Sequence, residues 1–193
     1  MSRFDHFTVI APYYERLIKA KTSVTLLELL QLRAGQLVLD AAGGTGRIAA
    51  NLSGAGCRIV VGDFSHGMLR QARVKGDLML VRMLVEKLPF VGGIFDRIVM
   101  VDALHHVFDQ HRAIDALVTG LKPGGKLVIE EPDIRSIWVK AIAAGEKLLR
   151  MRSNFLTSDQ IENLFTGKNG EISVKRENTT LWVVFEKKQS MIY

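Results

Sequence analysis

Short apolar runs alternate with stretches whose apolar residues recur three and four apart, and this alternation organises most of the chain. Residues 4–33 read as helical, with Pro12 at a break or first turn and Leu26, Leu27, Leu29, Leu30 and Leu32 as an apolar cluster. The period then changes. "QLVLD" (36–40) is a short strand, "GRIAANLS" (46–53) a helix and "CRIVVGD" (57–63) a second strand. "SHGMLRQAR" (65–73) is a helix that Ser65 can cap, because a serine hydroxyl accepts from an unpaired amide of the first turn. "LMLVRM" (78–83) and "FDRIVMV" (95–101) are the third and fourth strands. "QHRAIDALVTGL" (110–121) sets Ile114, Leu117, Val118 and Leu121 on one helical face; Gly124 and Gly125 break it, and "KLVIEE" (126–131) is the fifth strand. Helical segments over 136–152 and 157–166 follow. The strands "EISVKRE" (171–177) and "TLWVVFEK" (180–187), separated by Asn178 and Thr179, make a hairpin.

Apolar strands alternating with helices predict an α/β fold with a mostly parallel sheet covered on both faces. Five strands plus a terminal hairpin make seven. Ligands of such sheets bind at the carboxyl ends of the strands, near the point where strand order reverses. The length of 193 residues suits one domain. Its expected parts are an N-terminal helical cap (1–34), a ligand-binding core (35–132), substrate-cover helices (133–168) and the terminal hairpin (169–193). With 48% hydrophobic and 24% charged residues the composition is that of a globular protein. No apolar run approaches the about 20 residues that span a bilayer. The start, "MSRFDHFTVIAPYYERL", lacks a secretory pattern. A lone cysteine, Cys57, excludes an internal disulfide and a multi-cysteine metal site, and reads as a buried thiol at a strand start. These points favour a reducing cytoplasm. The net charge of +6 is spread along the chain, densest between Arg135 and Arg152, where a solvated helix face accounts for it.

The chemistry begins in "LVLDAAGGTGRIAANL" (37–52), where a glycine-rich turn joins the first strand to a helix. The glycines of Ala42-Gly43-Gly44-Thr45-Gly46 do not fit the G-x-G-x-x-G spacing of dinucleotide sites, and no G-x-x-x-x-G-K-[ST] phosphate loop is present. Asp40 ends the strand just before the turn. A carboxylate there repels a pyrophosphate and suits an ammonium or sulfonium. Asp63, at the end of the second strand, can take both hydroxyls of a ribose, as acids do there in NAD proteins. Together the three features point to a nucleoside with a positive amino-acid tail, which S-adenosylmethionine is.

The motifs "VLDAAGGTGR", "VVGDFSHGMLRQAR", "EKLPFVGGIFDRIVMVDALHHV" and "LKPGGKLVIEEP" run in the order and with the gaps of a known family. The chain resembles class I S-adenosylmethionine-dependent methyltransferases of the type 11 group, and within it the ubiquinone/menaquinone C-methyltransferases. The likeness covers about residues 36–132 well and the last strands loosely. It implies a Rossmann-like, doubly wound seven-stranded sheet with a C-terminal antiparallel hairpin strand. It implies S-adenosylmethionine as cofactor, S-adenosylhomocysteine as product, and no metal. By this resemblance Asp40 holds the amino end of the ligand directly or through water. The backbone of Ala42, Gly44 and Gly46 packs on the methionine part, Asp63 takes the ribose, and Phe64 and Met68 flank the adenine. Val85 and Glu86 lie along the adenine edge, Met100, Val101 and Asp102 present carbonyls to the sulfonium, and Tyr14 of the N-terminal region touches the carboxylate tail. Two departures stand out. Ala42 replaces the first glycine of the family's D-x-G-x-G-x-G loop, as in the quinone subgroup. Leu84 stands where the family has an acid for the adenine amine.

His105, His106 and Asp102 follow the fourth strand, and any of them can serve as the base an oxygen or carbon acceptor needs; a helix-start or packing role is equally open to the histidines. Trp138 and Trp182 read as packing residues. The acceptor is poorly marked. "DALHH" (102–106) stands where adenine-methylating enzymes carry an Asn-Pro-Pro-Tyr-type motif, and Cys57 lies on the wrong strand for a cytosine nucleophile. Nucleic acid is disfavoured on that ground. Residues 135–155, with Ile137, Trp138, Ala141, Ile142, Leu148 and Leu149 among basic residues, suit a cover over an apolar acceptor, peripheral contact with an anionic membrane, or a helix packed on the sheet. The first reading is a methyltransferase of a small molecule, a lipophilic phenol or quinol precursor. A methyltransferase of RNA or protein, or a module that binds S-adenosylmethionine without catalysis, are the alternatives. Oligomeric state is left open.

Overall fold

The computed structural model describes residues 23–135 and 153–189. Within them the helices are α1 (Val24–Leu30), α2 (Arg47–Leu52), α3 (His66–Ala72), α4 (Gln110–Gly120) and α5 (Ser158–Asn163). The strands are β1 (Leu37–Ala41), β2 (Arg58–Asp63), β3 (Met79–Arg82), β4 (Phe95–Val101), β5 (Leu121–Pro132), β6 (Gly170–Glu177) and β7 (Thr180–Lys187). They form one seven-stranded sheet in the order β3-β2-β1-β4-β5-β7-β6. β1 through β5 run parallel to one another, while β7 is antiparallel to both β5 and β6. The order reverses between β1 and β4, so the ends of β1, β2 and β4 border the crevice where such sheets bind ligands.

Alternation along each strand builds two apolar layers. Leu39 of β1, Ile98 and Met100 of β4, and Leu127 and Ile129 of β5 meet Ile114 and Leu117 of α4 on one face. Val38, Val99 and Val128, from the same strands, meet Leu26 and Leu30 of α1 and Ile48 and Leu52 of α2 on the other. The local signals act as expected. Ser65 Oγ accepts from Met68 N and caps α3. Asn178 takes a left-handed φ of 53° in the two-residue hairpin connection, a conformation asparagine tolerates. Thr157 and Gln160 form a reciprocal capping box at the start of α5.

Three expectations are corrected. α4 stops at Gly120 rather than at the glycine pair, because Leu121 is fully buried and pairs with Phe95 as the first residue of β5. The glycine pair instead lies in β5 beside a register shift between Phe95 and Arg97. The helix expected over 157–166 ends at Asn163; Leu164, Phe165 and Thr166 continue in tighter turns, each amide donating to the carbonyl three residues back, and Phe165 stacks on Phe185 at 5.0 Å. Cys57 is half-buried rather than buried, with its thiol donating to Arg33 O. Residues 4–22 of the expected N-terminal helix, including Tyr14, and the segment 136–152, including Trp138, lie outside the described residues.

Candidate active site

The turn after β1 winds left-handed, with φ of 55° at Ala42, 56° at Gly44 and 70° at Gly46. Glycine adopts these angles freely. Ala42 adopts one at a cost of about 1 kcal/mol. The turn is held by backbone bonds from Gly43 N to Gly62 O and from Gly46 N to Gly43 O, after which α2 begins. A Cβ on Gly43 would stand 2.6 Å from Cγ of Asp40, so only glycine lets the turn close over that carboxyl.

Asp40 is 1% exposed and accepts from Ala49 N of α2 at 3.2 Å. Burial, helped by the nearby Asp63 and opposed by the Ala49 amide, raises its carboxyl to about 7. Asp63 spans the turn: Oδ2 accepts from Gly44 N at 2.8 Å and Oδ1 from Ser65 N at 2.7 Å. Asp63 pairs in register with Arg82 on β3. The Arg82 guanidinium donates to Phe64 O and lies 5.3 Å from the centroid of the half-exposed Phe64 ring. Met68 is buried, with its sulfur 3.9 Å from where a Cβ of Gly44 would stand, so it underlies the turn. Val85 is buried in the larger apolar layer, which leaves its backbone to line any cleft. Leu84 is 40% exposed in a small bridge with Lys87, and Glu86 is half-buried beside it.

β4 ends at Val101, paired with Glu130. Asp102 then takes a φ of 50°, donates its amide to Glu130 O, and is raised to about 6, chiefly by burial and next by Glu131 and Glu130. A short 3-10 helix follows over Leu104–His106. His105 is 5% exposed; its Nδ1 lies 2.5 Å from Glu131 Oε2, and its ring stacks on Phe155 at 4.2 Å. His106 is half-buried and its Nδ1 lies 3.3 Å from Ser153 Oγ. The structure therefore separates two neighbouring histidines by environment. Glu131, 4% exposed, and Glu130, which accepts from Trp182 Nε1 at 2.6 Å, carry the contacts that sequence reasoning missed. Their signal was the "EEP" at the end of the fifth strand. Trp182 is a packing residue, as expected.

The donor set tests what fits. Two acidic side chains flank the turn, and each accepts from backbone amides. That chemistry suits hydroxyls and an ammonium and opposes a pyrophosphate. Residues 39–129 match the family model described as "Methyltransferase domain". The central part of the chain is similar to methyltransferase domains. It is 37% identical over 115 residues to the ubiquinone/menaquinone biosynthesis C-methyltransferase of Pseudomonas putida, covering 54% of this chain and 45% of that protein. It is 36% identical over 123 residues to the demethylmenaquinone methyltransferase of Clavibacter sepedonicus, covering 57% and 50%. The chain thus spans about half the length of these curated relatives. The chain shares its fold with an S-adenosylmethionine-dependent methyltransferase of Thermotoga maritima, at a TM-score of 0.77 and 21% identity, covering 94% of this chain and 98% of that one. Among the described residues no cluster of histidine, cysteine or carboxylate is placed to hold a metal ion, and no helix is long and apolar enough to cross a membrane.

Proposed function

We propose that the protein transfers a methyl group from S-adenosylmethionine to a small molecule of the phenol or quinol class. The observation that carries the reading is the left-handed glycine turn bracketed by Asp40 and Asp63 at the ends of adjacent parallel strands. When bound, S-adenosylmethionine supplies a methyl group already activated on its sulfonium. The chain then has to bind, orient, exclude water and remove a proton from the acceptor. Asp63 accepts from the Gly44 and Ser65 amides, which fixes the carboxylate that is assigned the two ribose hydroxyls. Asp40 faces the ligand ammonium across the turn, where low dielectric strengthens the attraction. Ala42, Gly44 and Gly46 give the methionine part a backbone wall. Phe64, the backbone of Val85, and Glu86 border the adenine, and Met68 supports the turn from below. Val101 and Asp102 close the site at the end of β4. Tyr14 takes the carboxylate tail.

On the acceptor side, Asp102 and His106 are the groups assigned to take the proton. His105 Nδ1 is engaged by Glu131 and serves structure instead. The phenol or quinol class rests on the similarity to the quinone-pathway methyltransferases over the region that this chain shares with them. Calorimetric titration with S-adenosylmethionine, S-adenosylhomocysteine and NAD tests the reading. Micromolar binding of the first two and none of NAD supports it and opens an acceptor screen led by quinols and phenols. Binding without turnover of any acceptor favours a non-catalytic module, and no binding of either adenosyl ligand refutes the cofactor site.

A further inference from the structure

The turn after β4 adopts a conformation that its own sequence does not favour. Asp102 is left-handed without being glycine, and Ala103, at φ −137° and ψ −27°, lies outside the ordinary regions. Such a backbone persists where its surroundings over-determine it. Glu131 is what does so here. Its Oε1 accepts from Ala103 N at 2.9 Å and Leu104 N at 2.8 Å, while Oε2 faces His105 Nδ1 at 2.5 Å. Three consecutive residues of the turn thus converge on one buried carboxylate of the neighbouring strand. A carboxylate accepts only, so His105 must carry its proton on Nδ1.

The same turn holds a second stretch of chain. His105 O accepts from Asn154 N at 2.7 Å, and the His105 ring stacks on Phe155. Gln110 donates to Leu104 O and Asn154 O, and Asn154 Nδ2 returns a bond to Gln110 Oε1. Ser153 Oγ meets His106. Residues 153–155 are therefore tied to the turn, and the turn is tied to Glu131.

We propose that Glu131 is a positioning residue for methyl transfer: it holds the turn that carries Asp102 and His106, and through His105 it fixes residues 153–155 beside them. This rests on the methyltransferase reading, and it assigns Glu131 to the acceptor half of the site, away from the glycine turn of β1 and β2.

Glu131→Gln tests it. The amide oxygen can still accept from Ala103 and Leu104, but the amide nitrogen then faces His105 and demands a lone pair on Nδ1. In long-range 1H–15N spectra of the 15N-histidine-labelled full chain, the wild type should show His105 protonated on Nδ1. Glu131→Gln should move that proton to Nε2 and shift the His106 signals. Affinity for S-adenosylhomocysteine should stay within twofold, while turnover of reduced 1,4-naphthoquinone should fall at least tenfold with an unchanged KM for S-adenosylmethionine. An unprotonated Nδ1 in the wild type overturns the proposal, and so does a variant with unaltered histidine signals or full turnover. The wild-type spectrum decides even if the variant fails to fold. Loss of S-adenosylhomocysteine binding by the wild type would strike the methyltransferase reading instead, leaving the His105 result to be read on its own.

Discussion

Asp40 offers a prediction whose size follows from its burial. Its carboxyl is raised from an ordinary 3.8 to about 7, chiefly because it is buried and further because Asp63 is near, against one favourable amide from Ala49. With each pH unit worth about 1.4 kcal/mol, ionising Asp40 inside the unliganded fold costs about 4 kcal/mol. The sign is opposite to that of a salt-bridged acid. The contribution of Asp40 to stability is fully present below about pH 4, is lost as pH climbs towards 7, and is level above it. A bound ammonium reverses the preference and favours the ionised carboxyl, so binding below pH 7 releases a proton. If only the ionised form binds, affinity for S-adenosylhomocysteine falls about 25-fold between pH 7.5 and pH 5.5. Titration calorimetry in two buffers of different ionisation heat reads both the affinity and the proton. Asp40→Asn keeps an oxygen for Ala49 N and cannot ionise. It should bind more weakly at pH 7.5, lose most of the pH dependence, and melt at a higher temperature than the wild type at pH 8 but not at pH 4. A wild-type affinity that is flat with pH, or a variant that keeps the full slope, would refute the assignment of Asp40 to the ligand charge.

Asp63→Ala removes a carboxylate that orders two amides and is assigned the ribose; S-adenosylmethionine affinity should fall on the order of 100-fold, measured by calorimetry. Leu84→Asp supplies an acceptor at a half-exposed position on the adenine side and should tighten S-adenosylmethionine binding about fivefold. No gain would mean the adenine lies elsewhere. Trp182→Phe deletes the indole bond to Glu130 but keeps most of the packing; the loss of about 2 kcal/mol should lower Tm by about 6 °C, with S-adenosylhomocysteine affinity unchanged.

The parts of this protein legible in the sequence are those governed by neighbours in the chain. β4 runs over the seven residues its apolar pattern marks, and Ser65 caps α3 through an amide three residues on. Asp40, the turn and Asp63 were legible because strand ends and glycines carry their own punctuation. What escaped is set by partners far along the chain. Leu121 becomes a strand residue because Phe95 waits beside it. Phe165 stacks on a ring twenty residues later, a contact that no local pattern carries. The pairing of His105 with Glu131 spans 26 residues and has no local signature, so the two adjacent histidines looked equivalent until the sheet placed a carboxylate under one of them. Met68 sits beneath the turn for the same reason: the way α3 packs decides which of its side chains faces inward.

The strand order also sets an order of events during synthesis. β7 follows β6 in the chain but lies between β5 and β6. Until residues 180–187 have left the ribosome, β5 presents an open edge whose amides and carbonyls have no strand to meet. A chain halted before that point carries a nearly finished parallel sheet with an apolar, unpaired flank, the kind of surface on which nascent proteins associate. The hairpin of β6 and β7 needs only a two-residue turn to form, so it can assemble on its own within microseconds and enter as a unit. Mutations in this hairpin, remote from the glycine turn, should therefore be felt first as lost yield of folded protein.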